Sequence, residues 1–113
     1  MPHCIVEYSS DLMPETAPTQ MMEAVLKGAL NSALFDRKDI KLRAMSYETY
    51  LGGHDSQRFI HVELKILSGR NNEQKVILTE SVLNQLRGLN LSDISISVEV
   101  TDTDKDSYRK SVK

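Results

Sequence analysis

Tryptophan is absent from this 113-residue chain, cysteine occurs once, and aromatic residues make up only 5%. The lone thiol, Cys4, excludes an intrachain disulfide. Scarce aromatics remove the stacking platform on which single-stranded nucleic acid is bound. Nor is there an excess of positive charge: 14 Lys and Arg stand against 16 Asp and Glu, a formal net charge of -2 that offers no long-range attraction to a polyanion. No apolar run approaches the ~20 residues needed to span a bilayer. Ahead of Glu7 there is neither a basic segment nor a long apolar one of the kind that directs secretion. These absences predict a cytoplasmic protein with no nucleic-acid or membrane partner. His3, His54 and His61 fall in three separate segments without a helical HxxxH pair or a second cysteine, so no metal site is expected. The glycines of LGGHD lack the spacing and the following helix of a phosphate loop and read as a turn.

What is present is a regular apolar pattern, in a chain long enough for one domain (residues 1–113) that buries roughly two-thirds of its unfolded surface. In HCIVEY, Cys4, Val6 and Tyr8 alternate with His3, Ile5 and Glu7, the period of a strand. Met22, Val25, Leu26, Ala29, Leu30, Ala33 and Leu34 then recur at helical spacing, with Pro18 suited to the first turn and Thr16 or Thr19 as candidate caps. Ile40, Leu42 and Ala44 form one side of a second strand; Ile60, Val62, Leu64 and Ile66 form one side of a third. A second helix carries Leu78, Val82, Leu86 and Leu89, with Leu83 alongside, and Asn71 and Gln74 sit in capping-box position. Ile94, Ile96, Val98 and Val100 mark a fourth strand before a polar tail expected to be extended. Strand, helix and strand therefore occur twice, as pseudo-repeats over about 2–50 and 58–101. The fold class expected is α+β: two right-handed βαβ units in one mixed four-stranded sheet, with both helices on one face. The other face carries His3, Glu7, Lys41, Arg43, His61, Glu63, Lys65 and Glu99, and is either solvated or enclosed by sister subunits.

Candidate chemistry starts at Pro2. Removal of Met1 would leave a secondary amine with no slack between it and the first strand, held in place where a mobile terminus would not be. Apolar walls and nearby cations would then favour its neutral form, which can accept a proton. Lys41, Arg43 and Arg70 are the candidate anion-binding residues. Arg70 follows Gly69 in a strand-to-helix turn, where its guanidinium and the first helical amides can converge on one carboxylate. The plainer alternatives are an idle processed terminus, a solvated loop arginine, and exposed ion pairs from Lys41 and Arg43 to Glu7, Glu63 or Glu99. Cys4, on the helix-covered side of its strand, reads as a small core residue.

Pro directly after Met on the first strand of a doubled βαβ pattern, with an arginine between third strand and second helix, resembles the tautomerase superfamily. MPHCIVEYSS is similar to the start of the 5-carboxymethyl-2-hydroxymuconate isomerase family, FIHVELKILSGR is similar to that family's segment ending in GR, and SYRKSVK to its tail. The resemblance covers essentially the whole chain. It implies a cofactor-free isomerase of aromatic-compound catabolism, assembled as a homotrimer, in which Pro2 shuttles a proton within a small unsaturated 2-hydroxy or 2-oxo carboxylic acid. Arg70 would hold a substrate carboxylate, and the IKLR stretch aligns Lys41 and Arg43 with a pair of family arginines. Lys41 departs from that pattern, since an ammonium keeps the charge but loses the planar fork; Cys4 stands where the family usually has phenylalanine. The same resemblance leaves open a hydratase or dehalogenase of the superfamily. A non-catalytic binding module on this fold is the remaining alternative.

Overall fold

The period-two segments become four strands, β1 (His3–Ser9), β2 (Lys41–Tyr47), β3 (Phe59–Leu67) and β4 (Ser95–Thr103), in one sheet of order β2-β1-β3-β4. The computed structural model describes residues 1–53 and 57–113, so His54 and part of the LGGHD turn lie outside the described residues. Helix α1 (Pro18–Asn31) carries the chain from β1 to β2, and α2 (Asn72–Arg87) carries it from β3 to β4. A helical crossover returns the chain to run alongside its starting strand, and both pairs are accordingly parallel. The two halves meet where β1 lies antiparallel to β3, which makes the sheet mixed.

One face of the sheet is the core. Cys4, Val6, Tyr8, Ile60, Val62, Leu64 and Ile66 are packed against Met21, Val25 and Ala29 of α1 and Leu78, Val82 and Leu86 of α2, all buried. Each fully buried aliphatic chain here contributes about 1.5–3 kcal/mol relative to exposure. The α1 stripe differs from the pattern read in the sequence, because its buried positions are Met21, Val25, Gly28 and Ala29, and Ala33 lies beyond the helix with φ 61°. Gly28 sets the rotation. A Cβ there would stand 2.6 Å from Val82 Cα, so only glycine lets the two helices approach this closely; Ser81 Oγ also donates to Gly28 O at 2.8 Å.

The helix starts also follow local chemistry. Asn71 caps α2, with Gln74 N donating to Asn71 Oδ1 at 2.8 Å and Asn71 N donating to Gln74 Oε1 at 3.0 Å. At α1 neither Thr16 nor Thr19 is the cap. Ala17 takes that position because Pro18 fills the first helical turn, and Ala17 N donates to Gln20 Oε1 at 2.8 Å. The tail is likewise not extended. Asp104 accepts from Ser107 Oγ at 2.9 Å and from Asp106 N at 3.3 Å, and its carbonyl accepts from Tyr108 N at 3.1 Å, a polar turn that sends the chain back across the sheet.

Candidate active site at the start of the first strand

Pro2 is fully buried, and its carbonyl accepts from Lys41 N at 3.1 Å, which ties the start of β1 to the start of β2. The preceding residue, Met1, lies in a cleft of ≈ 270 Å³. Leu34, Phe35, Ile66 and Leu67 form its apolar wall, and Asp36, Asp39 and Arg70 bring charge to it. Burial first, then the ammonium groups of Lys110 and Lys41, hold the terminal amine of Met1 below its ordinary pKa, while Asp39 pulls the other way. The Met1 amine thus sits in surroundings that favour its uncharged form.

Arg70 reaches the cleft from a turn that only glycine makes without strain, since Gly69 has φ 122°. The guanidinium is held in place from two sides. Its Nη2 donates to Leu34 O at 2.9 Å, and its Cζ lies 5.7 Å from the centre of the Phe35 ring. The carbonyl partner leaves the positive charge uncompensated by that bond, so the group remains suited to a carboxylate.

Lys41 and Arg43 are brought to the same strand but not to the same place. Lys41 stands beside His3 in the parallel register and acts on the terminal amine through its charge. Arg43, opposite Ile5, faces the uncovered side of the sheet, where its Nη1 is 3.2 Å from His3 Nδ1. Neither forms the ion pairs read in the sequence. The register places the carboxylates beside closer partners: Glu7 accepts from Tyr47 Oη, Glu63 from Thr101 Oγ1 at 2.9 Å, and Glu99 lies 2.5 Å from His61 Nε2. Burial, followed by Arg43, the terminal amine, Lys41 and Lys65, pushes the His3 pKa below its usual value.

Several residues in or next to the cleft escaped the sequence reading: Phe35 and Asp39 line it, whereas Lys110 only contacts Asp39 and Tyr108 only contacts His3. Phe35 and Asp39 lie in the α1–β2 connection, which has no periodicity to single them out. Lys110 and Tyr108 arrive from the turned-back tail, with Tyr108 Oη 3.4 Å from His3 Nε2 and Lys110 Nζ 3.5 Å from Asp39 Oδ1. Cys4, the first core residue after the cleft, is buried, and burial pushes its thiol up to about 12.

Comparison with known proteins places these features in context. The family model for 5-carboxymethyl-2-hydroxymuconate isomerase matches residues 2–112. No curated protein sequence matches the chain. Among solved structures, a 5-carboxymethyl-2-hydroxymuconate isomerase from Deinococcus radiodurans R1 superposes with a TM-score of 0.81 at 23% identity, covering 99% of this chain and 90% of that one. A 5-carboxymethyl-2-hydroxymuconate delta-isomerase gives 0.79 at 15% identity over 100% of this chain and 89% of its own. A fused 4-OT described as a wild-type symmetric trimer gives 0.75 at 17% identity, over 91% and 86%. At these identities the superpositions speak to the fold, which is that of the tautomerases.

Proposed function

The chain belongs to the 5-carboxymethyl-2-hydroxymuconate isomerase family, and from that membership we propose that it is a keto-enol tautomerase whose base is Pro2, freed by loss of Met1. The substrate is a small unsaturated 2-hydroxy or 2-oxo carboxylic acid. One observation carries the proposal: Met1 and Arg70 line the same cleft, so removing Met1 would open the Pro2 nitrogen onto a space that already holds a fixed guanidinium.

The chemistry needs three things of these residues. The neutral Pro2 nitrogen takes a proton made acidic by conjugation with a carbonyl, forming a dienolate. Arg70 binds the carboxylate, and Lys41 with Arg70 offsets the negative charge as it moves onto oxygen. The Pro2 ammonium then returns the proton to a different atom of the conjugated system, leaving the enzyme unchanged. The apolar wall of Leu34, Phe35 and Ile66 limits water around the amine and keeps its free base populated. This sequence of steps asks for no cofactor.

The uncovered sheet face supports assembly as a homotrimer. It carries Ile5, Arg43 and Met45 (59% exposed) beside the His61–Glu99 pair, a mixture of apolar and paired charged groups suited to closing around an axis. Light scattering on the purified protein is expected to return three chains, and a monomer at micromolar concentration would remove this part of the proposal.

The enzymatic test begins with an intact mass showing loss of one methionine. The mature protein should then convert 2-hydroxymuconate or phenylenolpyruvate to the keto form faster than buffer, and Pro2→Ala should lower kcat/KM by roughly 10²–10⁴. Mature protein with no rate above buffer on either compound would favour a binding module; hydration or dehalogenation of related unsaturated acids would favour the other superfamily chemistries.

A further inference from the structure

Arg70 leaves the sheet on a short link. β3 ends at Leu67, α2 is already capped at Asn71, and only Ser68, Gly69 and Arg70 lie between them. The far end of this link is locked, because Asn71 and Gln74 exchange two hydrogen bonds of 3.0 and 2.8 Å. Its middle is not. Gly69 bends at φ 122°, a conformation that glycine reaches freely but shares with many others, and a Cβ placed there would meet, among the described residues, only Lys105 Nζ at 4.0 Å. Neither backbone preference nor packing therefore selects this bend. The angle must be set from the near end, where Ser68 is tied twice to the stretch in which β4 passes into the tail: its N–H donates to Thr103 O at 2.8 Å, and its Oγ accepts from Lys105 N at 3.1 Å. The first bond continues the β3–β4 ladder beyond the pair of Leu67 and Thr103 and needs no particular side chain. The second depends on the hydroxyl.

We propose that Ser68 is a positioning residue for the substrate carboxylate: its Oγ, by holding the Lys105 N–H, fixes the Gly69 bend and so keeps the Arg70 guanidinium on the wall of the cleft. The inference rests on reading Arg70 as the group that binds that carboxylate. Leu34 O and the Phe35 ring hold the head of the Arg70 side chain at 2.9 and 5.7 Å, but both belong to the segment between α1 and β2, so they grip it only while its root stays where the bend puts it. Without the hydroxyl the hinge is held less firmly at one end, and an incoming substrate has to order it again at a cost in conformational entropy. That cost falls on the bound substrate and on the transition state alike, because Arg70 holds the carboxylate in both. It therefore appears in KM and spares kcat.

Ser68→Ala tests this, with Ser68→Thr as the variant that keeps the oxygen. The bond from Lys105 N is an exposed one, so water replaces the lost acceptor and the protein should remain folded, which thermal unfolding checks. In mature protein of verified mass, acting on phenylenolpyruvate, Ser68→Ala should raise KM roughly three- to tenfold and leave kcat within about twofold, with Ser68→Thr nearer to the parent. In an Arg70→Met background Ser68→Ala should add nothing to KM. A reading that needs no turnover comes from the nitrogen-15 resonances of the Arg70 guanidinium, expected as separate Nη signals in the parent that merge in Ser68→Ala as the group gains freedom to rotate. An unchanged KM in Ser68→Ala where Arg70→Met raises it, an equal rise with and without Arg70, or Arg70 signals indifferent to Ser68→Ala would each overturn the proposal. Signals that merge in Ser68→Ala although Arg70→Met leaves KM unchanged would count against Arg70 as the carboxylate-binding group and leave the tie between Ser68 and Arg70 standing.

Discussion

Replacing Gly28 by alanine sets two effects of opposite sign against each other. On an isolated helix the change stabilises by about 1 kcal/mol, because alanine has the better helix propensity. In this fold the added Cβ would meet Val82 Cα at 2.6 Å, Val82 N at 2.9 Å and Ser81 O at 3.0 Å, all backbone atoms of α2 that no rotamer change can move aside. Carbon contacts are most favourable near 3.5–4.0 Å, so the helices must separate by roughly 1 Å. Such overpacking costs about 1–3 kcal/mol. Separation also stretches the 2.8 Å bond from Ser81 Oγ to Gly28 O, worth about 0.5–1.5 kcal/mol. The sum is a net loss of about 1–3 kcal/mol, or a fall in Tm of roughly 5–15 °C for a chain of this size. Gly53→Ala, whose new Cβ would meet nothing within 4 Å, is the control. Thermal and urea unfolding at one fixed protein concentration measure both. A Gly28→Ala protein as stable as the parent, or more so, would refute the close helix contact and with it the packing that carries Leu34 and Phe35 to the cleft.

Activity should rise with pH through a pKa below that of an ordinary terminal amine, then level off, because only the uncharged base accepts a proton and the Pro2 nitrogen, once freed, would meet the burial and the Lys110 and Lys41 charges that lower the Met1 amine. Asp39→Asn removes the one opposing charge and should move that limb to lower pH still; a limb moving upward in a kcat/KM profile would contradict the assigned signs. Arg70→Met is expected to raise KM for a carboxylate substrate and lower kcat/KM at least tenfold, about the loss of one charge-assisted contact of ~1.5 kcal/mol. An unchanged KM would remove Arg70 from substrate binding. Cys4, with its thiol pushed up to about 12, should resist thiol reagents in the native protein at pH 8 and react after unfolding in urea; rapid native labelling would show that the base of the cleft is open.

Much of the architecture is legible in residue spacing. Alternation at Cys4, Val6 and Tyr8 and at Ile60, Val62, Leu64 and Ile66 predicts the buried sides of β1 and β3, because strand period and burial are the same geometric fact. The Asn71–Gln74 cap is equally visible, since both bonds are local. Arg70 could be singled out because Gly69 marks the tight turn that presents it. Position between elements is harder to read. Lys41 and Arg43 share a strand side, yet their partners depend on the register against β1, and the neighbours of Glu7, Glu63 and Glu99 lie on other segments. The approach of Gly28 to Val82 is a property of two helices together, so the α1 stripe rotates away from the sequence estimate. Lys110 and Asp39 lie far apart in the chain and meet through a turn built by Asp104, a long-range outcome with no periodic signature.

Nitrogen-15 NMR on protein labelled at proline and lacking Met1 can follow the ionisation of the Pro2 nitrogen itself. A titration midpoint below that of a free proline amine, moving down further in Asp39→Asn, is the predicted result. An amine that stays protonated well into alkaline solution would contradict the assignment of Pro2 as the base.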